Sequence, residues 1–226
     1  MDLREKMLGQ LRALSEEKLA KFSQRLIPAP QILGVRTPAL RALARKSFAA
    51  FSTADEARRE LQKYKPFFHE EFVLKGFFIM FLKQDEAKFA LASDFIKTMP
   101  NWAVCDMFAP KFRNASCADA LLKQAKNGVD EFERRFFYVY FMQNMSAISP
   151  EEFFEICAAE SDERYYVQMG AAWAIAEMFI KQREPTLAFL ASKRVAKFIQ
   201  NKAISKIRDS FRVSKADKEA LLKYKI

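Results

Sequence analysis

Glycine is scarce in this chain, 5 residues in 226, and the alternation of Val, Ile and Thr with polar residues that marks strands is nearly absent. Beside 23 phenylalanines, that scarcity predicts an all-α protein. Histidine occurs once, which removes Ser-His-Asp triads unless His69 itself serves; it stands in His69-Glu70-Glu71 at a helix start and reads as a terminus residue, not a catalyst. Cysteine occurs at Cys105, Cys117 and Cys157, an odd count without a CxxC, so no disulfide framework or zinc ribbon is indicated and the three read as small core residues. No run of about 18 uncharged apolar residues exists, as a membrane span requires, and the opening MDLREKMLGQ lacks the features of a signal peptide; a cytoplasmic protein is expected. Also missing are GxGxxG after a strand, GxxxxGK before Ser or Thr, HExxH, and HxE with PCxxC, so neither a nucleotide cofactor nor a metal is expected.

What is present is a chain half apolar by the wide count, long enough for one large domain with a real core. Asp2 to Leu14 and Glu16 to Ile27 read as amphipathic helices, with Ser15 a cap between them and Pro28 to Pro30 ending the second. Gly34 to Pro38 places Thr37 as a cap before Pro38 at the first helical position, and Ala54 to Tyr64 forms a fourth helix. His69 to Gln84 is apolar almost all round, as in a helix packed on both sides, and Asp85 to Met99 is its amphipathic partner. From there inner helices begin near His69, Asn101, Asp130, Arg164 and Ala196, at intervals of 32, 29, 34 and 32 residues. This period fits stacked antiparallel helix pairs forming a curved solenoid, in which inner helices line a concave surface. An irregular bundle is the competing reading. No long linker interrupts the chain, so one domain over 1–226 is expected, with N-terminal helices to about 65 and stacked pairs over 66–226.

The net charge of +10 is unevenly distributed. Residues 193–226 hold 11 Lys and Arg against Asp209, Asp217 and Glu219, a net +8, while the preceding 192 residues carry only +2. That asymmetry argues for a polyanionic partner, most simply nucleic acid. A membrane surface is the weaker alternative, because Phe198, Ile199, Ala203, Ile204 and Ile207 form one core-facing stripe.

The stretch Asn101 to Pro110, NWAVCDMFAP, carries the most chemistry. Asn101 can cap a helix over Trp102 to Phe108, in which Trp102 and Asp106 stand at i and i+4 on one face. The bland alternative is a core tryptophan beside a solvated carboxylate. Arg134-Arg135 lies in EFERRFFYVYF, where one arginine can face solvent and the other the inner side. Trp173 lies in MGAAWAIAEMF among small residues that let a backbone or ligand approach; a tryptophan in a helical core is its bland reading.

At these residues the sequence resembles the AlkD-like DNA alkylation repair family, alkylpurine DNA glycosylases built from HEAT-like helical repeats. The matching pieces are LGVRTPALRALAR (33–45), HEEFVLKGFFI (69–79), NWAVCDMF (101–108), EFERRF (131–136), YYVQMGAAWAIAEMFIK (165–181) and NKAISKIRDSFRVS (201–214), in the family's order. The resemblance implies that Trp102 and Trp173 wall a DNA-facing cleft, that Asp106 is the catalytic carboxylate and that Arg135 grips a phosphate; spacing alone does not choose between Arg134 and Arg135. It further implies a monomeric enzyme acting on double-stranded DNA with alkylated bases, nucleoid-associated if bacterial. The lesion would be trapped without a deep base pocket. The basic C-terminal segment, with Lys202, Lys206, Arg208 and Arg212, would hold phosphates. No lysine stands out as a Schiff-base nucleophile, so a monofunctional glycosylase is expected. Two other classes compete: a non-catalytic HEAT-like protein binding distorted or branched DNA, and a protein-interaction scaffold, against which the C-terminal charge counts.

Overall fold

The computed structural model describes residues 2–28, 31–83, 86–109 and 118–226. Among these there are fourteen α-helices and no strand: α1 Leu3–Ala13, α2 Glu17–Gln24, α3 Thr37–Phe48, α4 Ala54–Lys63, α5 His69–Phe81, α6 Glu86–Ile96, α7 Trp102–Phe108, α8 Ala118–Lys126, α9 Glu131–Gln143, α10 Pro150–Ala158, α11 Tyr165–Lys181, α12 Arg183–Ser192, α13 Lys197–Asp209 and α14 Lys215–Ala220. A 3₁₀ turn at Leu221–Tyr224 follows. The helix starts expected near His69, Asn101, Asp130, Arg164 and Ala196 fall within one residue of those found. Pro30, Gln84, Asp85, Pro110 and Cys117, which entered the reading of boundaries and cysteines, lie outside the described residues.

The chain divides into two compact units, Met1–Glu133 and Arg134–Ile226. In the first, α3 packs on α5 and α5 on α7, while α4 packs on α6 and α6 on α8. Alternate helices thus form two rows, joined where α5 meets α4 and α6. Helix α5 belongs to the middle of one row, which is why its sequence is apolar almost all round: Val73, Leu74, Phe77, Phe78 and Ile79 are all buried. In the second unit α11 packs extensively on α13, with α12 against α11 and α14 against α13. Phe141 stacks on Phe153 at 4.1 Å between ring centres, and Phe154 on Phe189 at 4.6 Å, joining α9 to α10 and α10 to α12. The small residues around Trp173 are packed in: Gly170, Ala171, Ala172 and Ala174 are buried, Gly170 beside the side chains of Arg135 and Tyr138, and α11 packs on α13, whose Ile199, Ala203, Ile204 and Ile207 are buried too. Phe198, expected in that buried stripe, is instead half-buried, its ring edge-on to Tyr165 at 6.0 Å.

Two helix starts differ from expectation. Thr37 is the first helical residue and not the cap, which is Arg36, and Arg36 makes no capping bond with its side chain. The loop before it is held instead by a buried carboxylate from α5: Glu70 accepts the backbone N–H groups of Leu33 at 2.9 Å, Gly34 at 2.7 Å and Val35 at 3.2 Å. Ser15 likewise does not cap α2; its hydroxyl donates back to the Arg12 carbonyl at 2.8 Å, and Glu16 takes the cap position while its carboxylate binds Arg36. Gly34 has φ +82°, and a Cβ there would sit 2.3 Å from the Glu16 carbonyl oxygen, so this loop requires glycine for both its backbone conformation and its close approach. Glu71 closes the start of α5 in a related way, accepting from the N–H groups of Phe67 and Phe68 and pairing with Arg4.

Candidate nucleic-acid interface and active site

In the first unit the candidate residues rest on the start of α7. Asn101 is fully buried and its side-chain oxygen accepts from Val104 N–H at 3.0 Å, which caps the helix. With its oxygen so used, its amide nitrogen is the group that faces His69, 3.3 Å from Nδ1. His69 Nδ1 is therefore the acceptor, which makes the imidazole neutral with its proton on Nε2. Burial pushes the His69 pKa below its ordinary 6.5, with Glu70 pulling the other way. His69, read as a terminus residue, is thus a positioning residue: it orients the cap that fixes the first turn of α7.

That first turn begins with Trp102, which is partly exposed, and Asp106 follows one turn later, also partly exposed. The expected i, i+4 pair is present on one helix face. The indole is not a core side chain; its Nε1–H donates to the Leu26 carbonyl beyond α2 at 3.2 Å. Its orientation is therefore set from a segment 76 residues earlier in the chain. On the opposite side of α7, Val104, Cys105 and Phe108 are buried, and the Cys105 thiol donates to the Phe132 carbonyl at 3.6 Å. Cys105 and Cys157 are both core residues as expected.

Because the chain has one histidine, the state of this support is directly measurable. Its folded pKa lies below the unfolded 6.5, so the stability it contributes is complete above 6.5 and is lost as pH falls from 6.5 through the folded value. The expected result is a single imidazole proton resonance that titrates below 6.5 in the folded protein. A midpoint at or above 6.5 would contradict the assigned neutral acceptor.

In the second unit, the adjacent arginines of α9 have separate tasks. Arg134 pairs with Glu160, whose carboxylate also takes the Tyr138 hydroxyl and the Asp162 N–H at 3.0 Å. Glu160 is nearly buried, and burial together with the Glu160 charge pushes the Tyr138 hydroxyl and the Cys157 thiol well above their ordinary pKa values. This cluster ties α9 to the segment after α10. Arg135 points elsewhere: its Nη1 donates to the Tyr166 carbonyl at 2.9 Å, at the start of α11, and its stem passes beside Gly170. Only 6 % of it is exposed, less than a phosphate-gripping residue led us to expect.

Trp173 is partly exposed on α11, with the Lys206 ammonium of α13 at 5.8 Å from its ring centre. Lys202 lies over Phe198 at 5.6 Å, one turn earlier on α13. Arg208 uses Nε to hold the Lys218 carbonyl at 3.0 Å, and Arg212 pairs with Glu177 at 2.6 Å. The expected basic residues thus divide: Lys202 and Lys206 rest on aromatic faces, while Arg208 and Arg212 each commit one donor to fixing α13, α14 and α11. The Leu26 carbonyl, Glu160 and Glu177 were not anticipated as partners; a backbone oxygen carries no sequence signal, and the two glutamates lie 26 and 35 residues from the arginines they bind.

Two rows of packed helices in the first unit, an aromatic and a carboxylate on one solvent-reached helix face, and a basic C-terminal segment belong to a protein that is all-α over the described residues. The model of the DNA alkylation repair enzyme family matches residues 7–207, and the chain belongs to that family. No match to it is found among curated proteins. No described helix is long and apolar enough to cross a membrane.

Proposed function

We propose that this protein is a monofunctional DNA glycosylase that hydrolyses the N-glycosidic bond of cationic N3- or N7-alkylated purines in duplex DNA. The observation that supports this most is α7: in a chain of a DNA alkylation repair family, a buried cap and a distant carbonyl hold Trp102 and Asp106 one turn apart on a face that solvent reaches. The reading takes the whole chain as one HEAT-like domain working as a monomer, its alternate helices lining a concave side that faces DNA.

The chemistry matches the residue types. An alkylated purine with a ring cation is already a good leaving group: the C1′–N bond electrons neutralise its ring, and the deoxyribose gains oxocarbenium character until water adds at C1′ and loses its proton. A carboxylate about 4 Å from such a cation contributes roughly 4 kcal/mol at an effective dielectric near 20. Realised only in the transition state, this is about a thousandfold in rate. Asp106 takes that role and orients the water. Trp102, and in the second unit Trp173, each offer an electron-rich face to a cation or a sugar, worth about 0.5–2 kcal/mol once desolvated. Arg135, Lys202, Lys206, Arg208 and Arg212 hold phosphates, which sets position and not sequence.

The test is a duplex with one N7-methylguanine at a known place. Incubation with the protein should leave the strand intact until alkali breaks it at that place, as an abasic site requires. Breakage without alkali would remove the monofunctional assignment, and no alkali-labile site would remove the glycosylase. A second reading, a non-catalytic protein for distorted or branched DNA, draws on the same C-terminal charge and has no need of Asp106.

A further inference from the structure

Phe211 is the most exposed large apolar side chain among the described residues, with its whole ring in solvent; the next phenylalanine, Phe22, is 58 % exposed. A phenyl left in water forgoes the burial that eleven of the other described phenylalanines obtain. It is also not on a loose end. The Ser210 hydroxyl accepts from Arg212 N–H at 3.2 Å, and Ser214 caps α14 by accepting from Asp217 N–H at 3.1 Å. Arg208 ties α13 to α14 through the Lys218 carbonyl, and Arg212 ties the loop to Glu177 of α11. Glu177 stands one turn beyond Trp173, so the loop is fastened about 6 Å along the helix from that tryptophan. The ring is held out by neighbours that are themselves fixed.

Its surroundings specify the partner. The loop and the helix ends that it joins carry Lys206, Arg208, Arg212, Lys215 and Lys218 against Asp209, Asp217 and Glu219; Asp217 is already bound by Arg183 and Arg212 by Glu177, so the balance is positive. An apolar plate among cations suits a ligand with flat apolar faces inside an anionic frame, which is a nucleic acid and not an apolar protein surface. Resting on the reading of this protein as one that acts on duplex DNA, we propose that Phe211 is a wedge residue, stacking on a base or parting a base step while the cations beside it engage the flanking phosphates.

The experiment measures binding of the full-length protein to a fluorescently labelled duplex over a range of salt. Phe211→Ala should weaken binding about tenfold at every salt concentration and leave the slope of log affinity against log salt unchanged, because stacking releases no counterions. Lys215→Ala should instead lower that slope by about one. Phe211→Trp should retain affinity, and its added emission should be quenched on binding, measured against the wild type. A Phe211→Ala protein that binds like the wild type would overturn the wedge and leave the DNA reading standing. A wild-type protein that binds no duplex would remove both.

Discussion

Replacing Asp106 by Asn should reduce base excision about a thousandfold, while affinity for the same duplex stays within about twofold of the wild type. The substitution keeps size and shape and removes one negative charge from a partly exposed helix position. About 4 kcal/mol of attraction to a cation at roughly 4 Å is lost from the transition state, and the phosphate contacts are untouched. Stability should change little, since Asp106 is not in the core. Single-turnover kinetics with saturating enzyme separate the two quantities. Equal loss of binding and excision would show Asp106 acting on the duplex as a whole, and unchanged excision would remove the mechanism.

The second large effect is on folding, and it separates the two adjacent arginines. Arg134→Ala leaves the nearly buried Glu160 carboxylate without its cation, with the Tyr138 hydroxyl and Asp162 N–H as its remaining partners, and should destabilise the protein by about 3–5 kcal/mol. Removing Glu160 as well should restore a good part of that loss, because the stranded charge is then gone. Arg135→Ala also removes the bond to the Tyr166 carbonyl from a buried position, so it should cost some stability, less than Arg134→Ala, while weakening DNA binding and retaining some chemistry. Urea unfolding and duplex binding measured on both variants decide the matter. If Arg134→Ala leaves stability intact and abolishes binding, the tasks of the two residues are reversed.

Much of this arrangement could be read in the sequence, and the parts that could not share a cause. Helix α7 was legible to the residue because its signals are local: Pro100 before it, Asn101 as cap, and an aromatic and a carboxylate four apart on one face. The recurrence of helix starts was legible because each start carries its own local change from a loop to a helix with an apolar face. The starts of α2 and α3 were misread because two good local caps were not used: Thr37 lost to the distant Glu70 carboxylate that holds the loop before it, and Ser15 turned its hydroxyl back to the Arg12 carbonyl. Glu70 lies 35 to 37 residues from the N–H groups it binds, and no local pattern announces that. Arg134 and Arg135 are indistinguishable in sequence, yet adjacent helical positions point about 100° apart, and the fold places Glu160 on one side and the Tyr166 carbonyl on the other. Trp102 was legible as a candidate and not as an oriented one, since its anchor is the backbone of Leu26.

These differences bear on the function in a consistent way. Support for the proposed chemistry comes from buried polar groups, His69 with Asn101 beneath Trp102, and Glu160 with Arg134 beside Arg135. Such groups hold a site in place without touching substrate, so their variants should lose activity in proportion to lost order, unlike Asp106→Asn.

The measurement that tests the central claim most directly is release of purine bases from duplex DNA treated with a methylating agent, with wild type and Asp106→Asn side by side. The account predicts that the wild-type protein liberates N3- and N7-methylated purines, identified chromatographically as free bases, and that Asp106→Asn liberates almost none. No release by the wild-type protein while it still binds the duplex would contradict the account and leave a DNA-binding protein without this chemistry.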